Sequence, residues 1–438
     1  MSADPSTSQP PNSPAKPGFP SAGDSDPRLL GWMQGAPPPA DRLVRKDDNS
    51  HFAFPRTRWS FANMRQLLPT TGIWRGEGPP SALPAAAHIE RLQREIDDLA
   101  FTPLNAAAGA RMNWAESLQA NYTDAICVLH RGRRVYERYL GVMTPHGLHM
   151  SMSVTKSYTG LLAQWLVHDG ALDETKRVPH YVPELGAGSG GAWAEATVRD
   201  VMDMRIGVAY SEDYADPAAH IWEHARAGGL FPRPPGDDGA TSFYRYLVKL
   251  RQEGPHGAGF YYKTVNSDVL GWVIRRVTGQ TFGEHLSERL WQPLACEQDA
   301  AMLVDAEGTE FAGGGLNPCL RDMARLGEAL RCAGALAGRQ VVPEAVVQDI
   351  CRQGSAEAFK SGGPPTLPGG AYRNMWWVTN NEHGAYAARG VHGQAIYIDP
   401  AAEMVIARFG SHPLAANVHF DPTSLPAFDA LACHLGGG

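Results

Sequence analysis

A serine and a lysine stand one helical turn apart at the start of an apolar helix, and this pair constrains the chain most. Ser153 and Lys156 lie in the run Met152–Ser157, and side chains at i and i+3 share one face of a helix. Apolar residues at helical spacing follow, and Asp169-Gly170 supplies a C-terminal stop. The spacing predicts a helix that begins near Ser153 and presents hydroxyl and amine to the same side.

The two side chains form a candidate nucleophile and its base. A serine hydroxyl is a poor nucleophile at neutral pH, and an enzyme that uses one holds a proton acceptor within hydrogen-bond reach. Unpaired N–H groups and the positive dipole end at a helix start also stabilise an oxyanion there. A four-residue pattern with two fixed positions is common on solvated helix surfaces as well. The motif alone leaves both interpretations open.

Composition and charge exclude several classes of protein. The chain has 438 residues, of which 43% are hydrophobic and 19% charged, as in a folded protein of one large or two medium domains. The net charge of -7 argues against nucleic acid or an anionic membrane as a main partner. Met1–Pro20 shows no secretory pattern, and the six cysteines lack C-x-x-C spacing. We therefore expect a cytoplasmic protein with buried thiols.

The chain divides into predicted regions that differ in composition and hydrophobic period. Residues 1–50 are rich in proline and predict a disordered tail, because they cannot bury enough apolar surface to order themselves. Residues 51–85 are aromatic-rich and predict a strap on the core. Residues 86–172 and 314–438 predict an α/β region, and residues 173–313 predict an α-rich region between its two halves.

Hydrophobic period also predicts individual elements and a fold class. The patterns indicate the following elements: helices at 86–100, 198–204, 269–277, 320–330 and 428–435, and strands at 125–130, 135–140, 375–378, 395–398 and 404–407. The implied fold class is α/β (α+β), an antiparallel sheet that is built from both ends of the chain and flanked by helices, with the α-rich region inserted.

Two later stretches offer the other groups that acyl transfer from a serine needs, namely a proton shuttle and oxyanion donors. Tyr262 and Asn266 stand just before an apolar helix, from whose N-terminus they could face a cleft. A buried tyrosine with an N-cap asparagine is the simpler explanation of that pair alone. Gly390–Gln394 opens a strand, and its glycines permit close approach of backbone to a ligand. A plain hairpin turn explains that stretch equally well.

Taken together, the motifs resemble the serine β-lactamase and penicillin-binding-protein superfamily, and more narrowly the 6-aminohexanoate-dimer hydrolases and their carboxylesterase relatives. The resemblance implies a β-lactamase-like fold and runs from about Trp59 to the C-terminal strands. It rests on segments in a fixed order: His149–Ser157, Tyr181–Leu185, Asp200–Met204, Glu212–Pro217, Phe311–Gly315, Trp376–Trp377 and Val391–Gln394.

The resemblance implies a role for each matching residue. Ser153 would be the acylated nucleophile, Lys156 its base or proton relay, and Tyr262 the acid that protonates the leaving group. The backbone N–H groups of Ser153 and Val391 would form the oxyanion hole. Which of Lys156 and Tyr262 removes the serine proton stays open. The side chains implied to bind substrate are Tyr214, Asn266, Trp377, His392 and Gly393.

Departures from the family pattern narrow the expected substrate. His392-Gly393 replaces K-[ST]-G and so removes a lysine that helps bind a β-lactam carboxylate. Ala225 and Gly313 stand where the nylon-oligomer enzymes have polar residues. We therefore expect a serine hydrolase that cleaves carboxylic esters or linear amides through an acyl-enzyme, without a cofactor. A β-lactamase or D-alanyl-D-alanine peptidase-like activity is the alternative.

Two other classes of protein, a zinc peptidase and a non-catalytic binding module, fit the sequence less well than a serine hydrolase. His220–His224 matches H-x-x-E-H, a zinc-peptidase pattern, yet no further motif marks a third ligand, and we expect no metal. A binding module that keeps the pocket without turnover is disfavoured by the joint presence of Ser153, Lys156 and Tyr262. The expected partner is a small-molecule ester or amide, with no nucleic acid or membrane and with a homodimer as the assembly to test.

Overall fold

The structure is a computed structural model that describes residues 18–107, 109–186, 190–351 and 354–436. In chain order, its strands are as follows: β1 Thr70–Ile73, β2 Ala100–Phe101, β3 Met112–Asn113, β4 Thr123–His130, β5 Arg133–Tyr139, β6 Ala300–Leu303, β7 Leu316–Asn317, β8 Ala335–Leu336, β9 Arg339–Gln340, β10 Ala371–Arg373, β11 Trp376–Val378, β12 Tyr386–Gly390, β13 Gln394–Asp399 and β14 Met404–Gly410.

Helices surround these strands. The α-helices are as follows: α1 Pro27–Leu30, α2 Thr57–Ser60, α3 Ile89–Asp97, α4 Trp114–Ala120, α5 Val154–His168, α6 Val198–Met202, α7 His220–Ala227, α8 Phe243–Leu247, α9 Val265–Thr278, α10 Phe282–Leu286, α11 Leu320–Arg331, α12 Glu344–Cys351, α13 Ala356–Phe359 and α14 Asp421–Gly436. Short 3-10 helices span Ala40–Arg42, Ser50–Phe52, Met64–Gln66, Val178–His180, Pro183–Leu185, Val391–Gly393 and Asn417–His419, and a π-helix spans Ser287–Trp291.

The main sheet joins both ends of the chain. Its strand order is β10-β11-β12-β13-β14-β4-β5, and the neighbouring strands are antiparallel. The C-terminal strand β14 pairs with β4, with Ile406 opposite Val128. The predicted antiparallel sheet from both chain ends is confirmed, and so is the β4–β5 hairpin around Gly132.

Both faces of the sheet are covered, and the strand sequences show it. Cys127 and Leu129 of β4 join one hydrophobic cluster with α11, whereas Ile126 and Val128 join another with α3 and α14. Alternate side chains of a strand point to opposite faces. A strand that is buried on both faces therefore reads as a nearly continuous apolar run, as β4 and β14 do.

Helix α5 runs through the interior and places Ser153 at its N-terminus. Residues Val154–Leu166 are all buried. Gly160 lies against the backbone of Asn374, where a Cβ would sit 2.0 Å from the carbonyl oxygen. The absence of a side chain at Gly160 therefore lets the helix approach the chain ahead of β11.

Most of the predicted elements are confirmed, and the differences have local causes. The helices expected at 86–100, 198–204, 269–277 and 320–330 correspond to α3, α6, α9 and α11. The last helix begins at Asp421, ahead of the predicted 428, and carries Pro426 inside it. Strand β12 was not predicted because Tyr386–Gly390 is rich in alanine and lacks a β-branched run.

The predicted disordered tail over residues 1–50 is too long, because residues 18–50 form defined structure. Residues 1–17 lie outside the described part of the chain. The guanidinium of Arg58 donates to the Ala22 carbonyl at 2.6 Å and to Ser25 Oγ at 3.2 Å, and it also lies 3.1 Å from Asp124 Oδ1. This buried arginine connects the N-terminal segment to the start of β4. The composition of that segment alone predicts no ordered structure.

The wider division into segments stays a prediction. Strand β1 from the predicted strap pairs with β6 of the predicted α-rich region, and β6 pairs with β7 of the predicted α/β region, so one small sheet contains strands of all three. One hydrophobic cluster contains residues of α5, α9 and α11. Within the described ranges, no helix is long and apolar enough to cross a membrane.

Arg58→Ala should destabilise the protein strongly. The side chains of Arg58 and Asp124 are each only 3% exposed, and removing one partner of a buried ion pair costs about 3–5 kcal/mol because the other charge stays buried. Denaturant midpoints would measure the change. Arg91→Ala is the matched control, since the Arg91–Glu95 pair on α3 is exposed and such pairs contribute at most about 0.5 kcal/mol. Equal midpoints for the two variants would contradict the assigned contact.

Candidate active site

Ser153 lies at a sharp turn where the chain enters α5. Met152, the preceding residue, has φ of +50°, a backbone region that residues with a Cβ occupy at a cost of about 1–3 kcal/mol. Ser153 itself has φ -67° and ψ -5°, and it is the N-cap of α5. The turn presents the hydroxyl to a cavity at the positive end of the helix.

The amine of Lys156 is directed at that hydroxyl. Lys156 Nζ lies 2.8 Å from Ser153 Oγ and 2.6 Å from the Gly313 carbonyl oxygen. The side chain is 1% exposed. Burial lowers the pKa of the Lys156 amine from 10.5 to about 8, against the opposing effect of the Glu212 and Asp268 carboxylates. The predicted pair is thus in contact, and about a tenth of the amines are neutral at pH 7, far more than for a lysine of ordinary pKa.

Tyr262, from the segment ahead of α9, also lies beside Lys156 and Ser153. Lys156 Nζ lies 5.3 Å from the centre of the Tyr262 ring. Burial, and next the Glu212 carboxylate, raise the pKa of the phenol, while a hydrogen bond with Ser153 opposes the shift. The Tyr262 ring stacks on Trp377, with ring centres 5.3 Å apart. The phenol is therefore protonated at neutral pH and held in place by an aromatic neighbour.

The end of β12 brings a second backbone amide towards Ser153. A Cβ on Gly390 would sit 2.7 Å from the Ser151 carbonyl oxygen and 3.0 Å from the Ser153 nitrogen. Only a residue without a side chain allows this approach. Val391 follows directly and lines the same cavity as Ser153. The assignment of the Ser153 and Val391 amides as oxyanion donors stays a prediction, and both residues line the same cavity.

The hydroxyl opens on a largely apolar cavity of about 640 Å³. Of the residues expected to contact substrate or chemistry, five line it: Ser153, Lys156, Tyr214, Val391 and His392. Burial lowers the pKa of His392 to about 4, and its Nδ1 lies 2.6 Å from the His412 carbonyl oxygen. The imidazole that replaces the family lysine is consequently uncharged at neutral pH.

Of the other expected residues, Tyr262 lies beside Lys156 but does not line the cavity, and neither do Asn266, Trp377 and Gly393. Asn266 is fully buried, and its amide donates to the Lys263 carbonyl at 3.1 Å. Trp377 supports Tyr262 from behind, and the Gly393 amide donates to Asn417 Oδ1 at 3.1 Å. The predicted contact of these three residues with substrate has no support in this geometry, since each is engaged by the surrounding fold.

The carboxylate of Glu212, which the sequence analysis did not single out as a site residue, lies near Lys156 and Tyr262. Glu212 accepts hydrogen bonds from the Thr264 amide at 2.7 Å, from the Thr264 hydroxyl at 2.8 Å and from the Tyr214 hydroxyl at 2.9 Å. It affects the pKa values of Lys156 and Tyr262 in the same direction, upward. Its segment belongs to the matching motifs, but no spacing rule indicates that a residue about fifty positions before Tyr262 joins the site.

The H-x-x-E-H segment takes part in a different contact from the one its pattern suggests. His224 Nε2 lies 2.9 Å from Asp268 Oδ2, with both side chains buried, and Asp268 Oδ1 accepts from the Gly313 amide at 3.2 Å. His220 instead bonds Ser211. Within the described ranges, no group of three or more His, Cys, Asp or Glu side chains is arranged to hold a metal ion.

Comparisons with known proteins show which family the chain resembles. The family model described as Beta-lactamase matches residues 113–414. A 6-aminohexanoate-dimer hydrolase of Paenarthrobacter ureafaciens is 33% identical over 396 residues, which cover 90% of this chain and 91% of the relative. A solved structure from Bacillus anthracis, provisionally named a 6-aminohexanoate-dimer hydrolase, superposes with a TM-score of 0.80 at 30% identity and covers 91% of this chain and 99% of its own.

A more distant structure shares the fold alone. EstCE1, described as a hydrolase with promiscuous acyltransferase activity, has a TM-score of 0.56 at 15% identity, covering 78% of this chain and 98% of its own.

The reactivity of Ser153 should rise with pH through a midpoint near 8. The Lys156 amine can accept the serine proton only when it is neutral, and its pKa is lowered to about 8. The rate of fluorophosphonate labelling of the Ser153 peptide, measured from pH 6 to 10, would follow this titration. In Lys156→Met, the labelling rate should fall by at least about 10²-fold, and it should show no titration near pH 8. A midpoint near 10 in the unaltered protein would contradict the burial argument.

Glu212→Gln should move the same midpoint below pH 8. The carboxylate raises the pKa of the Lys156 amine, and the amide keeps an oxygen acceptor for the Thr264 N–H while removing the charge. Glu223→Gln, on an exposed position of α7, is the matched control and should leave the midpoint in place. An upward shift in Glu212→Gln would show that the carboxylate acts otherwise.

Proposed function

The chain belongs to the Beta-lactamase family of serine hydrolases, and on that premise we propose that it cleaves carboxylic esters or linear amides through an acyl-enzyme on Ser153. The observation that carries the proposal is the contact of 2.8 Å between Ser153 Oγ and the buried Lys156 amine. A neutral amine at that distance is a competent general base.

In the proposed acylation step, Ser153 Oγ attacks the substrate carbonyl carbon and its proton passes to Lys156 Nζ. The bond from that carbon to the leaving oxygen or nitrogen then breaks, and Tyr262 supplies a proton to the leaving group. The phenol is protonated at neutral pH, as a proton donor must be, and the lowered pKa of Lys156 favours the amine over the phenol as the base. Water, attacking the acyl carbon with the same proton path reversed, would release the acid and restore Ser153.

The amides of Ser153 and Val391 are proposed to bind the oxyanion that forms on the carbonyl oxygen. Backbone donors of this kind lower the barrier by about 3–4 kcal/mol each where removal has been measured. The support is that Gly390 approaches the Ser153 nitrogen closely, and that Val391, the next residue, lines the same cavity as Ser153. The helix dipole of α5 adds positive potential at the same place.

The cavity favours flexible apolar acyl and leaving groups over a β-lactam. Its wall carries neutral His392 where family members have a carboxylate-binding lysine, and Ala225 and Gly313 add no polar side chain. The name of the 33% identical relative points to a linear amide of 6-aminohexanoate. We expect esters to react faster than amides at this site, because an alkoxide leaves more easily than an amine.

The cellular setting is part of the same proposal. All six cysteines are free thiols, including three that are buried, which suits a reducing compartment. A cytoplasmic enzyme acting on a small-molecule substrate fits this pattern. A homodimer stays a prediction.

An acyl-enzyme mechanism gives a rapid initial release of p-nitrophenol from p-nitrophenyl butyrate. Ser153→Ala should abolish this burst and reduce turnover by about 10³-fold or more, because no other hydroxyl takes its place beside Lys156. Stopped-flow release of p-nitrophenol would measure both phases. Ser157→Ala is the matched control in the same helix, since the Ser157 hydroxyl donates to the Met375 carbonyl and lies away from the cavity. An unchanged burst in Ser153→Ala would remove Ser153 from the mechanism.

A further inference from the structure

The cavity beside Ser153 has an uneven charge distribution. Its lining includes two residues with cationic side chains, Lys156 and Arg226, and no aspartate or glutamate. Lys156 is engaged by Ser153 and Gly313. Arg226 is thus the cationic lining residue that the proposed chemistry does not use.

Arg226 stands near the end of α7 and is partly buried. Within the described ranges, its guanidinium has neither a hydrogen-bond acceptor nor a carboxylate within ion-pair distance. Other partly buried arginines of the protein differ in this respect. Arg321, Arg331 and Arg373 each contact a carboxylate at 2.7–3.0 Å. The donors of Arg226 are therefore left to solvent or to a bound anion.

The C-terminus of α7 explains why a positive charge is found there, but not why Arg226 lines the cavity. A cation near a helix C-terminus is favoured by the dipole by about 0.3–1 kcal/mol, and Lys46 Nζ also lies close, 4.0 Å from where a Gly229 Cβ would sit. The dipole accounts for positive charge at this end of α7. It does not require Arg226 to line the cavity that contains Ser153.

The rest of the lining is suited to an apolar chain. Most lining residues are apolar, and five of them carry large aromatic rings: Phe52, Tyr214, Trp222, Phe231 and Phe311. The N-terminal segment contributes to this wall, and it is fixed there by His51, whose Nε2 lies 2.8 Å from the Leu230 carbonyl oxygen. An apolar passage with a nucleophile and a separate unpaired cation is complementary to an amphipathic anion.

We propose that Arg226 binds a carboxylate at the end of the substrate's acyl or leaving chain. The inference rests on the proposed function and extends it, since it assigns a substrate class: esters or amides with an apolar chain that ends in an anionic group. A guanidinium binds a carboxylate through paired hydrogen bonds. An ammonium at that same end is disfavoured, because it would meet the like charge of Arg226, whereas Arg226 sets no requirement for the opposite end of the substrate.

Matched ester pairs test the inference. On the acyl side, mono-p-nitrophenyl adipate is compared with p-nitrophenyl hexanoate. On the leaving side, 6-butanoyloxyhexanoate is compared with hexyl butanoate. In the unaltered protein, kcat/KM should favour the carboxylate member of at least one pair. Arg226→Gln should reduce that ratio about tenfold, mainly through KM, as expected for a charge-assisted contact that solvent partly screens.

Controls separate the local contact from general electrostatics. Arg94→Gln removes an exposed arginine of α3, away from the cavity, and should leave both ratios unchanged. Arg226→Lys should restore part of the preference. In Arg226→Glu, the preference should reverse, so that p-nitrophenyl 6-aminohexanoate is hydrolysed faster relative to the hexanoate ester than in the unaltered protein.

The outcomes distinguish this inference from the function on which it rests. If the neutral esters are hydrolysed but neither ratio changes by more than twofold in Arg226→Gln, the carboxylate site is wrong and the hydrolase assignment stands. If Arg94→Gln lowers the ratio as much as Arg226→Gln, the preference reflects net charge and the site is again wrong. If the unaltered protein hydrolyses none of the esters, the proposed function is contradicted, and the inference falls with it.

Discussion

The buried amine of Lys156 is the feature on which the rest of the site depends. Removing an ammonium from water costs free energy. In proteins that cost is offset by pairing the charge, or avoided because the pKa falls until the group is neutral. Here the amine has two oxygen neighbours, Ser153 Oγ at 2.8 Å and the Gly313 carbonyl at 2.6 Å, and its pKa falls to about 8. Burial thus gives a proton acceptor beside the hydroxyl whose neutral form is about a tenth of the total at pH 7 and half at pH 8.

Several elements keep that amine dry without making it inert. Helix α5 carries Ser153 and Lys156 through its local spacing, and the loop at Gly313 closes over the amine. The Asp268 carboxylate accepts from the Gly313 amide, while Asp268 and Glu212 both raise the pKa that burial lowers. The basicity of Lys156 is a balance between desolvation and these two charges. The same loop and the neighbouring α7 form walls of the cavity, so the proposed base and the proposed substrate-binding surface share these segments.

Sequence predicted those parts of the fold and site that local spacing or an ordered motif determines. Ser153 and Lys156 meet because residues three apart on a helix share a face, and the sheet strands follow from their apolar runs. Long-range polar contacts were not predictable. Arg58 orders a proline-rich segment through atoms of Ala22 and Asp124, and Glu212 joins the site through Thr264. Such contacts have no period in the sequence, since they depend on how distant segments pack.

The pKa of the Lys156 amine in the folded protein tests the central claim most directly. Lysine labelled with ¹³C at Cε would report it by NMR titration, with Lys156→Met identifying the resonance. The account requires a midpoint near 8, and it requires that midpoint to persist in Ser153→Ala, because burial rather than the hydroxyl causes the shift. A Lys156 resonance that titrates near 10.5 would show a solvated ammonium, and the proposed role of this amine as the base would then be wrong.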